Sequence, residues 1–227
     1  MSDHNDHGAH FAHGPEITEP MERWTSEFWD ERYRSRPALW SGNANAVVMT
    51  ETADLPPGRA LDIGCGEGRD ALWLAARGWR VDGVDVSRVA LGRAAGHAQD
   101  AGPEIADRLA WARRDVLEWT PPAASYDLVS VSFLHLPSRN RSPVYCALAE
   151  AVAPGGSFLV VAHHPSDVGV VPRPPEPDLF FTPEDLAADL DERWEVVTRD
   201  ARPRPEIHPD GYDVTLHDTV LRAMRRA

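Results

Sequence analysis

The chain has 227 residues, 42% of them hydrophobic, and a formal net charge of −13. That length holds one α/β domain with a substantial core and is too short for two full domains with linkers. The acidic balance, with no cationic cluster standing out, speaks against a nucleic-acid backbone as substrate. No apolar run approaches membrane-spanning length, and the N-terminus lacks a signal-peptide pattern. Two cysteines, Cys65 and Cys146, lie far apart inside predicted elements, and the simplest expectation is a reduced, cytoplasmic protein.

Residues 1–20 are polar, with His4, His7, His10 and His13 at every third position beside Asp3 and Asp6. Such a tail buries too little apolar surface to fold by itself. Its histidines can take up zinc, nickel or copper adventitiously, but no fixed backbone defines a geometry, so no metal site is expected. Residues 21–227 are expected to form a single domain. The pattern predicts a short helix over Thr25–Ser35, carrying Phe28, Trp29 and Tyr33, with Trp40 in the loop after it. Aromatic faces attract organic cations, so these side chains read either as a lid or as ordinary helix packing. A second short helix is predicted over Asn43–Ala53, and Pro56-Pro57-Gly58 reads as a turn.

The stretch from Arg59 to Asp70 organises the rest of the chain. Leu61 and Ile63 flank Asp62 at the end of a buried strand, and Gly64, Gly66 and Gly68 release the backbone into a tight turn. A helix over Asp70–Ala76 comes next, closed by Gly78. A helix start behind a glycine turn is a ligand-binding unit. A dinucleotide loop reads G-x-G-x-x-G and cradles phosphate, whereas this one reads G-x-G-x-G behind a carboxylate. A carboxylate repels phosphate and attracts the ammonium and sulfonium of S-adenosylmethionine. Residues 81–85 then form a second strand ending in Asp85, about 20 residues past the glycines, where an acid can take both ribose hydroxyls. Ser87 caps a helix over Val86–Gln99, in which His97 is read as a surface residue, and a third strand over Arg108–Arg113 leads to Asp115, placed for an adenine amino group.

A fourth strand, Leu128–Phe133, delivers Phe133, Leu134 and His135 to the carboxyl edge, where open α/β sheets bind ligands. A helix over Pro143–Val152 includes Cys146 as a core residue, and a fifth strand, Ser157–Ala162, ends at His163-His164. The proline-rich run Val168–Asp178 excludes regular structure. Thr182 and Pro183 start a helix over Leu186–Leu190. Trp194–Thr198 and Val214–Leu221 are the last strands, joined by a loop, Pro203–Tyr212, that holds Glu206, His208 and Asp210. This order implies an α/β, Rossmann-like, seven-stranded, mostly parallel sheet, its last strand antiparallel, with helices on both faces.

The ordered motifs resemble those of class I S-adenosylmethionine-dependent methyltransferases over roughly residues 25–223. Asp62–Gly68 matches the glycine-rich motif, Asp85 the ribose acid and Asp115 the adenine-side acid. Tyr126-Asp127-Leu128-Val129 matches the entry to the fourth strand, and Ala153-Pro154-Gly155-Gly156 the turn before the fifth. The resemblance implies S-adenosylmethionine as cofactor, with S-adenosylhomocysteine as product. Its site would comprise Asp62, Gly64, Cys65, Gly66 and Arg69 from the turn, then Asp85, Val86 and Ser87, then Asp115, Val116 and Leu117. Phe133 and Leu134 would join from the fourth strand, and Trp29 and Tyr33 from the lid.

Methyl transfer from a sulfonium asks the protein to align the nucleophile, exclude water and remove a proton. Three histidines compete as base: His135, His163 and His208, each with a structural reading beside it. Glu206-Ile207-His208, Phe181-Thr-Pro-Glu-Asp-Leu and the aromatic N-terminal helix resemble the TehB-type and thiopurine methyltransferases. Pro209 stands where the TehB pattern has arginine, with Arg202 or Arg204 as substitutes. The expected partner is a small-molecule acceptor with a sulfur, selenium, tellurium, oxygen or nitrogen nucleophile, and the expected state is monomer or homodimer. The alternatives are a protein that binds the cofactor without methyl transfer and a nicotinamide enzyme.

Overall fold

The computed structural model describes residues 25–37, 42–174 and 176–227. The polar tail and Trp40 lie outside the described residues. Among the described residues the first elements are α1 (Ser26–Arg34) and α2 (Ala46–Thr52), capped by the side chains of Thr25 and Asn45, and the chain enters the sheet at β1 (Arg59–Ile63). Next come α3 (Arg69–Ala76), β2 (Arg80–Asp85), α4 (Arg88–Asp100), the single turn α5 (Pro103–Ala106), β3 (Leu109–Arg113) and β4 (Tyr126–Ser132). The second half comprises α6 (Ser138–Glu150), β5 (Val152–His163), α7 (Pro183–Ala188), β6 (Trp194–Ile207) and β7 (Asp213–Arg225).

The seven strands lie in the order β3-β2-β1-β4-β5-β7-β6, with β7 alone running against the rest. The strand order reverses between β1 and β4, so the carboxyl ends of these two strands open a crevice. Helices cover both faces. On one, Val48, Ala71, Leu74 and Trp79 pack on Leu128, Leu159, Val161 and Val220. On the other, Tyr145, Leu148, Phe181 and Leu186 pack on Ile63, Val131, Val160 and Leu221. Each such aliphatic side chain gains roughly 1.5–3 kcal/mol from its burial.

The larger boundary differences from the sequence reading lie in four elements, and α7 starts at Pro183 rather than Leu186. Helix α6 starts at Ser138 rather than Pro143, because Asp178, far along the chain, accepts the Ser138 N–H at 2.9 Å and caps it. Strand β5 begins at Val152, and the Pro-Gly-Gly run is an irregularity in its pairing with β4 rather than a turn before it. Strands β6 and β7 are far longer than expected and pair without a loop from Trp194 to Ile207. Pro203 and Pro205 are tolerated because β6 is an edge, where alternate N–H groups face away from the sheet. The pairs from Pro203 with His217 to Ile207 with Asp213 therefore carry a hairpin past the end of β5, where His163 pairs with Asp218.

Candidate functional site

Between β1 and α3 the glycines do what the spacing requires. Gly64, Gly66 and Gly68 have φ of 66°, 53° and 81°, the left-handed region that glycine enters without strain. Gly68 also has no room for a side chain, since a Cβ there would lie 2.6 Å from Trp111 and 2.9 Å from Ala94. The Gly66 N–H donates to Asp85 Oδ2 at 2.9 Å, which locks the turn to the end of β2. Asp85 Oδ1 accepts the Ser87 N–H, and the Ser87 hydroxyl caps α4 by accepting from Ala90.

Three acids meet at this crevice. Asp62 is buried, and its Oδ2 has no hydrogen-bond partner. Asp70, in the first turn of α3, accepts the Asn45 N–H at 2.7 Å and the Ser132 hydroxyl at 3.1 Å. Burial, and then repulsion from Asp70 and Asp85, hold the Asp62 carboxyl well above the ordinary carboxylate range. Burial likewise raises Asp70 and Asp85 despite the hydrogen bonds they accept. The chain carries 23 arginines and no lysine, yet among the described residues no arginine or histidine forms an ion pair with any of these three. Such a site has a place for an external cation, and the ammonium and sulfonium of S-adenosylmethionine fit it where a phosphate would not. Asp115, half-buried after β3, accepts the Leu117 N–H at 2.9 Å and keeps acceptor capacity on its carboxylate.

Helix α1 clamps this half of the site from outside. Asp30 accepts the Ser87 hydroxyl at 2.6 Å, and Arg93 binds Glu67 at 2.7 Å together with the Tyr33 and Arg36 carbonyls. Of the two readings of the aromatic helix, lid or ordinary packing, Tyr33 shows packing. Its ring is 3% exposed, packed on Ala90 and Trp29, with no open face for a ligand; Trp29 is half-buried beside it. Ser87 is also consumed: its hydroxyl caps the helix and donates to Asp30, and its N–H is taken by Asp85. His97 is no surface residue: its ring bridges the Glu67 carbonyl at 3.0 Å and the Arg69 guanidinium at 3.1 Å, which turns Arg69 toward α4. Burial raises the Cys65 thiol well above its usual value, leaving it no nucleophile.

A second group of candidate residues lies at the ends of β4, β5 and β7. Phe133 has φ of 55°, strain that a non-glycine residue carries only where its surroundings hold it. Its ring lies 4.6 Å from that of His163, which stacks at 5.0 Å on His135. His135 is corrected as a base. Its Nε2 accepts the His163 N–H at 3.2 Å, which makes Nδ1 the donor to the Phe133 carbonyl at 2.9 Å. Burial pushes its pKa down to about 4, so it is a neutral strut with its lone pair already used. His208 sits at the hairpin tip, stacked on Tyr212 at 4.3 Å, with its Nδ1 accepting from the Asp210 N–H. These contacts all lie within that tip, whereas His135 and His163 share one stack.

The arginines considered for recognition divide. Arg202 is taken by Glu51 of α2 at 2.7 Å, away from the carboxyl edge, while Arg204 binds Glu206 at 2.6 Å and Asp218 at 3.2 Å within the hairpin. Sequence reasoning missed Asp167, Arg173 and His217. Asp167 is 1% exposed, accepts the His217 N–H and faces the Arg173 guanidinium at 4.0 Å. The extended hairpin that brings His217 to Asp167 left no local signal. Cys146, expected in the core, is exposed on α6.

Residues 60–156 match the family model of a methyltransferase domain. The chain is 35% identical over 136 residues to the ubiquinone biosynthesis O-methyltransferase of Burkholderia vietnamiensis, covering 59% of this chain and 55% of that protein. It is 27% identical over 144 residues to thiocyanate methyltransferase 1 of Arabidopsis thaliana, covering 61% and 62%. The matched parts are thus about half to three fifths of those relatives' lengths. Among solved structures, TehB from Haemophilus influenzae superposes with a TM-score of 0.65 at 18% identity, over 89% of this chain and 67% of that one, a likeness of fold.

Proposed function

We propose that this chain is a class I S-adenosylmethionine-dependent methyltransferase that transfers the methyl group of that cofactor to a small-molecule nucleophile. The observation that carries the reading is the trio of Asp62, Asp70 and Asp85, buried at one crevice with no cationic partner among the described residues. In this reading Asp62 and Asp70 meet the ammonium end, Asp85 takes the ribose hydroxyls and Asp115 the adenine amino group. The backbone of Gly64, Cys65 and Gly66 approaches closely, and Val86, Val116, Leu117 and Leu134 supply apolar walls.

When bound, the cofactor supplies a methyl carbon activated by a sulfonium. The chain's own part is then to align the acceptor, keep water out and receive a proton where the nucleophile carries one. Phe133 and His163 form the wall against which the acceptor lies, and the β6–β7 hairpin closes its far side. The relatives include proteins named for thiocyanate and for an O-methyltransferase step, which is compatible with either a sulfur-type or an oxygen nucleophile; the proposed acceptor carries sulfur, selenium or tellurium, or else oxygen or nitrogen. A cytoplasmic monomer or homodimer acting without nucleic acid completes the proposal.

The test is a series of thiols, phenols, amines and chalcogen oxyanions, assayed for S-adenosylhomocysteine. Turnover with any of them supports the proposal. Tight cofactor binding with no turnover across the whole series would replace it with a binding protein that performs no transfer.

A further inference from the structure

We propose that His217, oriented by the buried carboxylate of Asp167, is the base that takes the acceptor's proton; this rests on the methyltransferase reading. No sequence motif marks the pair, because the two residues lie 50 positions apart and meet only through the long hairpin.

Asp167 follows β5 in a short 3-10 turn, Pro165–Asp167, and both its oxygens accept the His217 N–H, at 2.9 and 3.1 Å. Its Oδ1 stands 3.4 Å from His217 Nδ1. A carboxylate accepts only, so this contact puts the imidazole proton on Nδ1 and leaves the lone pair on Nε2. The neighbouring Ser166 hydroxyl has one proton to give, and His164 Nδ1 at 2.9 Å is a closer partner for it than His217 Nδ1 at 3.5 Å. Arg173 backs Asp167 at 4.0 Å, and the His164 N–H ties the His217 carbonyl to the end of β5 at 3.0 Å.

Asp167 is 2% exposed at its side chain and His217 is 35% exposed, so the orienting group is sealed while the imidazole is partly open to solvent. A base needs that asymmetry. His163, one ladder position away, is 3% exposed between Phe133 and His135 and serves as wall. His217 stands at the carboxyl edge just past β5, on the same ladder as His163 and its partner Asp218.

In the step, the proton leaves the acceptor's heteroatom for His217 Nε2 and the electron pair stays on that heteroatom to meet the methyl carbon. The positive charge lost by the departing donor remains as imidazolium until water removes the proton. The acceptor class follows: a thiol, phenol or similar group that is protonated at working pH.

The experiment compares wild type with His217→Gln across acceptors of graded acidity, with cofactor affinity measured by calorimetry. Transfer to the least acidic acceptor should fall about 10²- to 10⁴-fold, the usual worth of a positioned base. The deficit should shrink steadily as the acceptor becomes ionised, and cofactor affinity should hold. Imidazole added to His217→Ala should restore part of the lost rate. An unchanged rate with the least acidic acceptor would overturn the assignment, as would loss of cofactor affinity in both variants, which would make the residue a hairpin support. A wild-type protein that binds cofactor but methylates nothing would remove the parent reading instead.

Discussion

The two halves of the carboxyl edge are built by opposite rules. Around β1 and β2 the site is local: three glycines with positive φ, an acid before them and an acid at the next strand end, all within residues 62–85. Its polar groups bond mainly to backbone N–H, and its acids are kept without cations. Around β5 and β7 the site is assembled from distant segments, and its acids are paired: Asp167 with Arg173, and Asp218 and Glu206 with Arg204. Unpaired buried acids hold electrostatic free energy that a cationic ligand releases, whereas paired ones are already satisfied and fix shape. In the proposed function the first half receives charge and the second frames the acceptor.

Removing Asp85 is expected to have the largest effect. Asp85→Ala takes away the acceptor for the Gly66 and Ser87 N–H groups along with the proposed ribose contact, and affinity for S-adenosylmethionine should fall at least about 100-fold by calorimetry. Gly68→Ala should come next. It places a Cβ 2.6 Å from Trp111 at a φ of 81°, and thermal unfolding should report a loss of about 1–3 kcal/mol. Replacing the hairpin tip from His208 to Gly211 with a two-residue turn tests the other half. Cofactor affinity should stay within about twofold while the acceptor KM rises about tenfold, since the remote part of an acceptor site adds binding. A loss of cofactor affinity there would erase the distinction between the halves.

The smallest effect is a pH dependence that separates them. Asp62, Asp70 and Asp85 have folded pKa values above their unfolded ones, so the folded protein without ligand holds protons that the unfolded chain has lost. Its stability should fall as pH rises from the ordinary carboxylate value through the raised ones, and denaturant unfolding with cofactor present should flatten that fall. His135 acts oppositely: its pKa is lowered from 6.5 to about 4, so its contribution is full above 6.5 and is lost as pH falls toward about 4. His135→Gln should reduce that acid-side loss.

Legibility in the sequence divides along the same line. The glycine turn can be read because positive φ and close packing demand glycine at Gly64, Gly66 and Gly68, and helix caps such as Thr25, Ser87 and Thr182 bond within three residues. Helix α6 cannot be read from its start, because its first turn is polar and its cap, Asp178, lies 40 residues away. The hairpin is obscured by Pro203 and Pro205, which end a central strand but not an edge strand. Tyr33 and His97 escape the sequence for one reason: periodicity gives a face, while the partners that bury it, Ala90 for one and Glu67 for the other, depend on how helices pack.

One titration bears most directly on the trio of buried acids. S-adenosylmethionine is titrated by calorimetry near pH 6 in two buffers of different ionisation enthalpy, a pH at which the ligand's own amine stays protonated. Arrival of its positive charge should drive protons off Asp62 and its neighbours, and the apparent heats should differ between buffers in the sense of net proton release. Identical heats in the two buffers, or net proton uptake, would contradict the account.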